Sequence, residues 1–377
     1  MSVASSVGGR RPVWAVLWTW IAAVVSGLFR GLEIVVEFLL VKPFNWALRQ
    51  LDRLSYKLEG TRLRRVISVS LFPATMVAGV YLAFRSVEGG VSLDVGLAAI
   101  APLVILGLFF APLERLMPFS RKWLHSENDS TVDVLLFVST GLWYAVAGPL
   151  HVFLTAWLVA IIHQHLPPDT IKSFWPTALP ALVQVALLVV VMDFFRYWYH
   201  RWMHESPIGW RWHAVHHSSR RLYWLNGVRS HPLESLINNF IWVVPFTLIQ
   251  APAEIVFVAG IVGRIIGRFQ HTNVDVDMGV FDYIFSSAKN HRYHHSKKIE
   301  EGNSNYGGDV IIWDHLFGTF YMPKGKQPSD EIGIGDMPNY PQSLLGLSIA
   351  PFIHGRLVKQ EKARAAAATS SGTETPR

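Results

Sequence analysis

Apolar and polar positions along this chain separate into long blocks. Residues 66–84 run nineteen positions without a charge, residues 95–112 run eighteen, and 134–162 is uncharged throughout. Residues 174–192 form the next block, and 240–252 with 255–262 a last, broken pair. A helix crosses the hydrocarbon core of a bilayer in about 20 mostly apolar residues. The first four blocks therefore predict four membrane spans. The broken pair predicts a hairpin, because Pro245 and Pro252 interrupt it. Residues 14–28 carry Trp14, Trp18 and Trp20 behind Arg10 and Arg11, which suits a fifth span or a helix lying in the interface. The expected fold is an all-α polytopic membrane protein with four or more transmembrane helices.

The basic residues orient these spans. Arg53, Lys57, Arg62, Arg64 and Arg65 precede the block at 66–84, and Arg115, Arg121 and Lys122 follow the block at 95–112. Both loops read as cytoplasmic by the positive-inside bias. The block at 134–162 then leaves the cytoplasm and 174–192 returns, which puts everything from His200 onward on the cytoplasmic side. The same bias accounts for the net charge of +7, so no nucleic-acid partner is expected. Only 16% of the 377 residues are charged, against about 25% in ordinary soluble proteins. There is no cysteine, which excludes disulfides and thiolate metal sites. The N-terminal apolar stretch lacks a small-x-small exit, so no cleavable signal is expected. The lack of a signal and of an obvious ER-retrieval tail leans toward a bacterial inner membrane over the ER.

The candidate chemistry lies in the histidines. Ten of sixteen fall between His200 and His295, eight of them in three clusters. These are His200 and His204; His213, His216 and His217; and His291, His294 and His295. Neutral imidazole is the commonest metal ligand in proteins, and on a helix such spacings aim several rings at one point. The first and second histidines of the middle cluster are expected to share a face, with the third beside them. Eight to ten ligands exceed what one ion takes, since a closed site uses about four; two metal ions are expected. His231 and His271 are further candidates, whereas His125, His151, His163, His165, His315 and His354 read as bystanders. A zincin needs HExxH, and Arg201 stands where the general base should be. Glu-x-x-His pairs of a carboxylate-bridged centre are missing from the cluster region. Iron with dioxygen fits an all-imidazole site best. Asp193, close to an apolar span, is a candidate to orient a ligating histidine; the alternative is a structural pair with Arg196 or Arg201.

These motifs resemble the fatty acid hydroxylase superfamily, membrane di-iron enzymes that include sterol desaturases. The resemblance covers roughly residues 134–323. It rests on the three histidine boxes in order, on Arg229-Ser-His-Pro-Leu-Glu234, on Glu114-Arg115, and on an ending that runs from Asn305-Tyr306-Gly307 through Trp313-Asp314 to Gly318. It implies a non-haem di-iron centre that activates dioxygen against a lipid C–H bond, with hydroxylation favoured over desaturation. His200, His204, His213, His216, His217, His291, His294 and His295 would bind iron, with His231 and His271 completing the set. Asp193, Asn273 and Asp314 are the candidates to support them, and Tyr197, Trp198, Trp202, Tyr293 and Tyr306 to line the substrate's approach. The partners implied are a lipid and an external electron donor such as ferredoxin or a cytochrome b5-like protein. The domain reading is an N-terminal anchor region (1–65), a membrane-embedded hydroxylase-like domain (66–323) with a cytoplasmic helical cap, and a cytoplasmic tail (324–377), partly disordered. A non-enzymatic membrane metal-binding or transport protein is the competing class; transport wants ionisable residues lining a path at mid-bilayer.

Overall fold

The helices follow the apolar blocks. The computed structural model describes residues 13–90, 95–126, 129–165 and 175–370. Helix α1 (Val13–Val36) continues through a π-helical turn (Glu37–Val41) into α2 (Lys42–Arg49), and α3 (Asp52–Leu58) follows. α4 (Arg62–Glu88), α5 (Val95–Leu116), α6 (Asp129–His165) and α7 (Ala181–Glu205) carry the four uncharged blocks. After the short α8 (Pro207–His217) comes the expected hairpin of α9 (Pro232–Ile249) and α10 (Ala253–His271). Gln250 turns it in the left-handed region, φ 52°, and Pro252 caps α10. The remaining helices are α11 (Ala288–His294), α12 (Ile299–Gly302), α13 (Ile312–Phe317) and α14 (Leu344–Ser370). Among the described residues the only β pairing is three isolated bridges.

Three stretches among the described residues are long and apolar enough to cross a membrane: Arg62–Glu88, Asp129–Leu150 and Ala181–Glu205. The fourth expected span lies in α5, and side chains 95–104 fall outside the described set, as does that of Trp14. α6 is longer than one crossing requires. Its 37 residues extend about 55 Å, against a core of about 30 Å. Large apolar side chains stand exposed along these helices, among them Val77, Leu82, Leu142, Val146, Val152 and Leu182. On a soluble protein such surface marks an interaction site; on a membrane protein it is the wall that meets lipid.

Two apolar clusters hold the helices together. In the first, Phe72 of α4, Phe110 of α5, Leu188 and Met192 of α7 and Phe269 of α10 are buried side by side. Phe269 meets both Phe72 and Phe110 edge-on, with ring centroids 5.2 and 4.9 Å apart, the arrangement aromatic quadrupoles prefer. The second cluster departs from the expected detached tail. Ile334, Met337, Leu344, Leu347 and Ala350 pack onto Val132 and Leu136 of α6 and Ala214 and Val215 of α8. Glu33 of α1 accepts from the backbone N–H of Leu344. α14 then stays helical through Ser370. The charged, then Ala-, Ser- and Thr-rich sequence from Lys359 pointed to partial disorder; the described residues are helical to Ser370, the Ala-rich run being a strong helix former whose root packs into the core. The segment after residue 323 therefore braces the back of α8, whose front carries histidines.

Candidate metal centre

Local structure brings the three clusters together. α7 ends with His200 and His204, one turn apart. Ser206 then makes an elbow: its Oγ accepts from the N–H groups of Ile208 and Gly209, and Pro207 opens α8. Gly209 is required there, since a Cβ would stand 2.6 Å from Met203 Cα. The elbow folds α8 back so that His213, His216 and His217 face α7. His271 arrives on the last residue of α10. Ser287 caps α11 by accepting from Asn290 N–H, and α11 carries His291 and His294 with His295 at its end.

Nine of the ten candidates converge in two adjoining groups. His200, His204, His213, His217 and His294 form one, and His216, His271, His291 and His295 the other. Within each group the ligating atoms all lie within 4.8 Å of one another. The helical spacing decides who goes where. Each i, i+4 pair (His200 with His204, His213 with His217, His291 with His295) stays in one group, and each i+3 member crosses to the other. Four residues advance a helix by about 40° past a full turn and three fall about 60° short. His213 and His216 therefore fall in different groups, although their rings remain neighbours with centroids 5.2 Å apart. The two groups touch through His217 and His295, stacked with centroids 4.3 Å apart.

In six of the nine rings the outward Nδ1 has a partner, whereas the Nδ1 atoms of His291 and His295 are buried with none among the described residues. His200 Nδ1 donates to Tyr306 O at 2.8 Å, His216 Nδ1 to Arg229 O at 2.9 Å, His294 Nδ1 to Ser304 O at 2.7 Å and His271 Nδ1 to Gly267 O at 3.2 Å. His213 Nδ1 lies 2.6 Å from Glu234 Oε1, and His204 Nδ1 3.3 Å from Asn303 Oδ1. A carbonyl can only accept, so Nδ1 carries the proton and Nε2 is left with a bare lone pair. Those lone pairs face each other: His200 Nε2 is 3.0 Å from His213 Nε2, and His271 Nε2 is 3.2 Å from His216 Nε2. The Nε2 atoms of His204, His217 and His294 are buried with no hydrogen-bond partner among the described residues. Facing lone pairs repel unless a cation stands between them. Burial, then the neighbouring imidazoles, hold His213, His217, His291, His294 and His295 well below the usual imidazole pKa. The rings are thus kept in the neutral, ligating form, and the donor set fits metal.

The tenth candidate lies elsewhere. His231 caps α9, its Nδ1 accepting from Leu233 N–H, while its Nε2 donates to Ser348 O. Both nitrogens are used in joining α9 to α14. The polar candidates act at one remove. Asp193 accepts from the N–H groups of Gly308 and Asp309, and Asp314 accepts from those of Tyr306 and Gly307 and from Thr319 Oγ1. Both grip the loop whose Tyr306 carbonyl holds His200, and neither touches a histidine of the two groups. Asn273 exchanges two hydrogen bonds with the backbone of Ser120, and Glu114 accepts from Thr272 Oγ1 and Asn273 N–H, fixing the chain just after His271. Tyr306 walls the first group, its ring 5.3 Å from that of His204. Tyr197 is buried against Phe317, Tyr293 packs on Tyr321, and Trp198 and Trp202 stand half exposed. Sequence reasoning missed Glu234. It reaches His213 and accepts from Ser230 Oγ.

Comparison with known proteins places this geometry. The profile of the fatty acid hydroxylase family matches residues 185–319. The ornithine lipid hydroxylase of Rhizobium tropici is 36% identical over 284 residues, covering 73% of this chain and 81% of that protein. The chain belongs to the fatty acid hydroxylase family. Human alkylglycerol monooxygenase is 33% identical over 136 residues, of which this chain spans 30% of the relative's length. Rat methylsterol monooxygenase 1 is 26% identical over 223 residues, 56% of this chain and 72% of the relative. No solved structure matches the chain. As a family member it is a membrane oxidoreductase that acts on lipids with dioxygen and a metal cofactor.

Proposed function

We propose that this chain is a non-haem di-iron hydroxylase of a membrane lipid. The reading rests on one observation, the two adjoining sets of buried, neutral imidazoles whose lone pairs face one another. His200, His204, His213, His217 and His294 would hold one iron and His216, His271, His291 and His295 the second. Bound iron would supply the activation of dioxygen against an unactivated C–H bond. The protein's own part is to orient six of the rings through an Nδ1 partner and to exclude water by burial. It also presents the site at the membrane-proximal ends of α7 and α10, where a lipid arrives from the bilayer. The Rhizobium tropici relative, matched over 81% of its length, is named for ornithine lipid, which favours a membrane lipid of that kind as the substrate here. The Lys and Arg distribution supports a cytoplasmic site, and the bacterial relative supports an inner-membrane location. Electrons would come from a separate ferredoxin- or cytochrome b5-like donor, docking on basic residues such as Arg121 and Lys122.

Lipid mass spectrometry on cells expressing the intact chain beside a His294→Ala, His295→Ala variant tests this, with a ferredoxin and its reductase supplied. A lipid that gains one oxygen only with the intact histidines is the expected result. A lipid that loses two hydrogens would make the chain a desaturase, and identical lipids in both cultures would contradict the proposal.

A further inference from the structure

The hairpin helix α10 carries two arginines that the metal centre does not use. Arg264 and Arg268 lie one turn apart on a helix otherwise apolar from Ile255 to Ile266. Seven residues separate Arg264 from His271, so the two share a face about 10 Å apart along the axis, and Arg268 lies about 5 Å from His271. α10 runs from the hairpin turn to the second histidine group. Both arginines therefore sit on the hairpin-turn side of that group.

Neither arginine has a carboxylate within ion-pair distance among the described residues. Arg268 is 6% exposed. Its Nη1 donates to Trp224 O at 2.7 Å, and its Nε is buried without a partner. The Arg264 guanidinium folds back toward the hairpin turn, with Nη1 3.2 Å from the place of a Cβ on Gly260. Between the arginines and His271 stands Gly267, where a Cβ would meet nothing nearer than Gln270 Oε1 at 3.9 Å. Two guanidiniums without a carboxylate partner thus lie on the helix face that also carries His271 of the second group. Arginine inside a membrane is costly unless it pairs, and its fork suits carboxylate and phosphate oxygens.

Resting on the hydroxylase reading, we propose that Arg264 and Arg268 hold the anionic group of the lipid substrate, a carboxylate or a phosphate. The substrate is then an acidic lipid, anchored on the helix that carries His271.

Native mass spectrometry of the detergent-released protein tests this without requiring turnover. The probes are dioleoyl phosphatidate and N-oleoylglycine, against the neutral dioleoylglycerol and oleoylethanolamide. The intact protein should retain at least one anionic probe about tenfold better than its neutral counterpart, and the phosphate and carboxylate arms identify which anion is preferred. Arg264→Gln and Arg268→Gln should each abolish that preference, and Arg264→Lys should keep part of it. An open basic cleft of about 610 Å³, lined by Arg62, Arg64, Arg65, Lys289 and Arg292, supplies the control. Arg62→Gln with Arg65→Gln should leave the preference intact. Equal retention of anionic and neutral probes by the intact protein overturns the proposal. So does a preference that survives both glutamine variants or follows the cleft residues instead. Iron content, measured on the same samples, separates the two readings: an iron-free protein that still discriminates lipids supports the arginine anchor and counts against the di-iron centre.

Discussion

A histidine aims one nitrogen reliably only when the other is tied down, and in this chain most ties are backbone carbonyls. Those of Tyr306, Arg229, Ser304 and Gly267 fix four rings. This is why the ligands were legible in the sequence and their supports were not: a carbonyl has no side-chain signature. Spacing alone could not sort His213 and His216 into their groups, because i+3 and i+4 look equivalent until two targets compete for them. His231 shows the converse, a histidine beside the motif whose two nitrogens are consumed as a cap and a tether. Glu234 is the one side-chain support with a full charge, so it gives the sharpest test at this scale. Glu234→Gln keeps the shape and removes the charge that stabilises the His213 N–H. Loss of such a partner typically costs about 10–100-fold in metal affinity. A chelator titration should show that loss in the first group, and unchanged retention would remove Glu234 from the site.

At the scale of elements, the site depends on carboxylates that never touch it. Asp193 on α7 and Asp314 on α13 grip opposite sides of the loop at 306–310, which explains why both looked functional in the sequence without contacting a ligand. A buried ion pair serves α8 in the same way. Arg229 Nη1 meets Asp133 Oδ1 of α6 at 2.8 Å, both side chains are wholly buried, and Arg229 also reaches Ser218 Oγ and Gln342 Oε1. Its carbonyl in turn holds His216. Removing one partner of such a pair leaves an uncompensated charge and costs about 3–5 kcal/mol, whereas replacing both with apolar residues is often close to neutral. Asp133→Leu should therefore lower the thermal midpoint in detergent sharply, and adding Arg229→Met should recover most of it. A double variant as unstable as the single one would show that the pair's hydrogen bonds, rather than its charge balance, hold α6 to α8.

For the whole molecule, the apolar blocks were enough to read three helices of membrane-crossing length and the hairpin. What escaped was the C-terminal third of the support, because Ile334, Met337 and Leu347 are too scattered to announce a core until α8 is in place beside them. A whole-molecule consequence is the dependence of stability on pH. The folded histidines resist protonation, whereas in the unfolded chain they take up protons below about pH 6.5. Below that value the unfolded state binds more protons, so stability is fully present above it and falls as the pH drops. Thermal unfolding of metal-free protein should show a midpoint that declines from about pH 6.5 to pH 5; a flat profile would mean that the rings are already charged in the fold.

The account turns on two adjoining metal sites, and elemental analysis of the purified chain reaches that most directly. The intact protein should carry two irons per chain. His204→Ala with His217→Ala should leave one, and so should His271→Ala with His291→Ala. A single iron in the intact protein, or loss of all metal from either pair of substitutions in a chain that remains folded, would contradict two separately built sites.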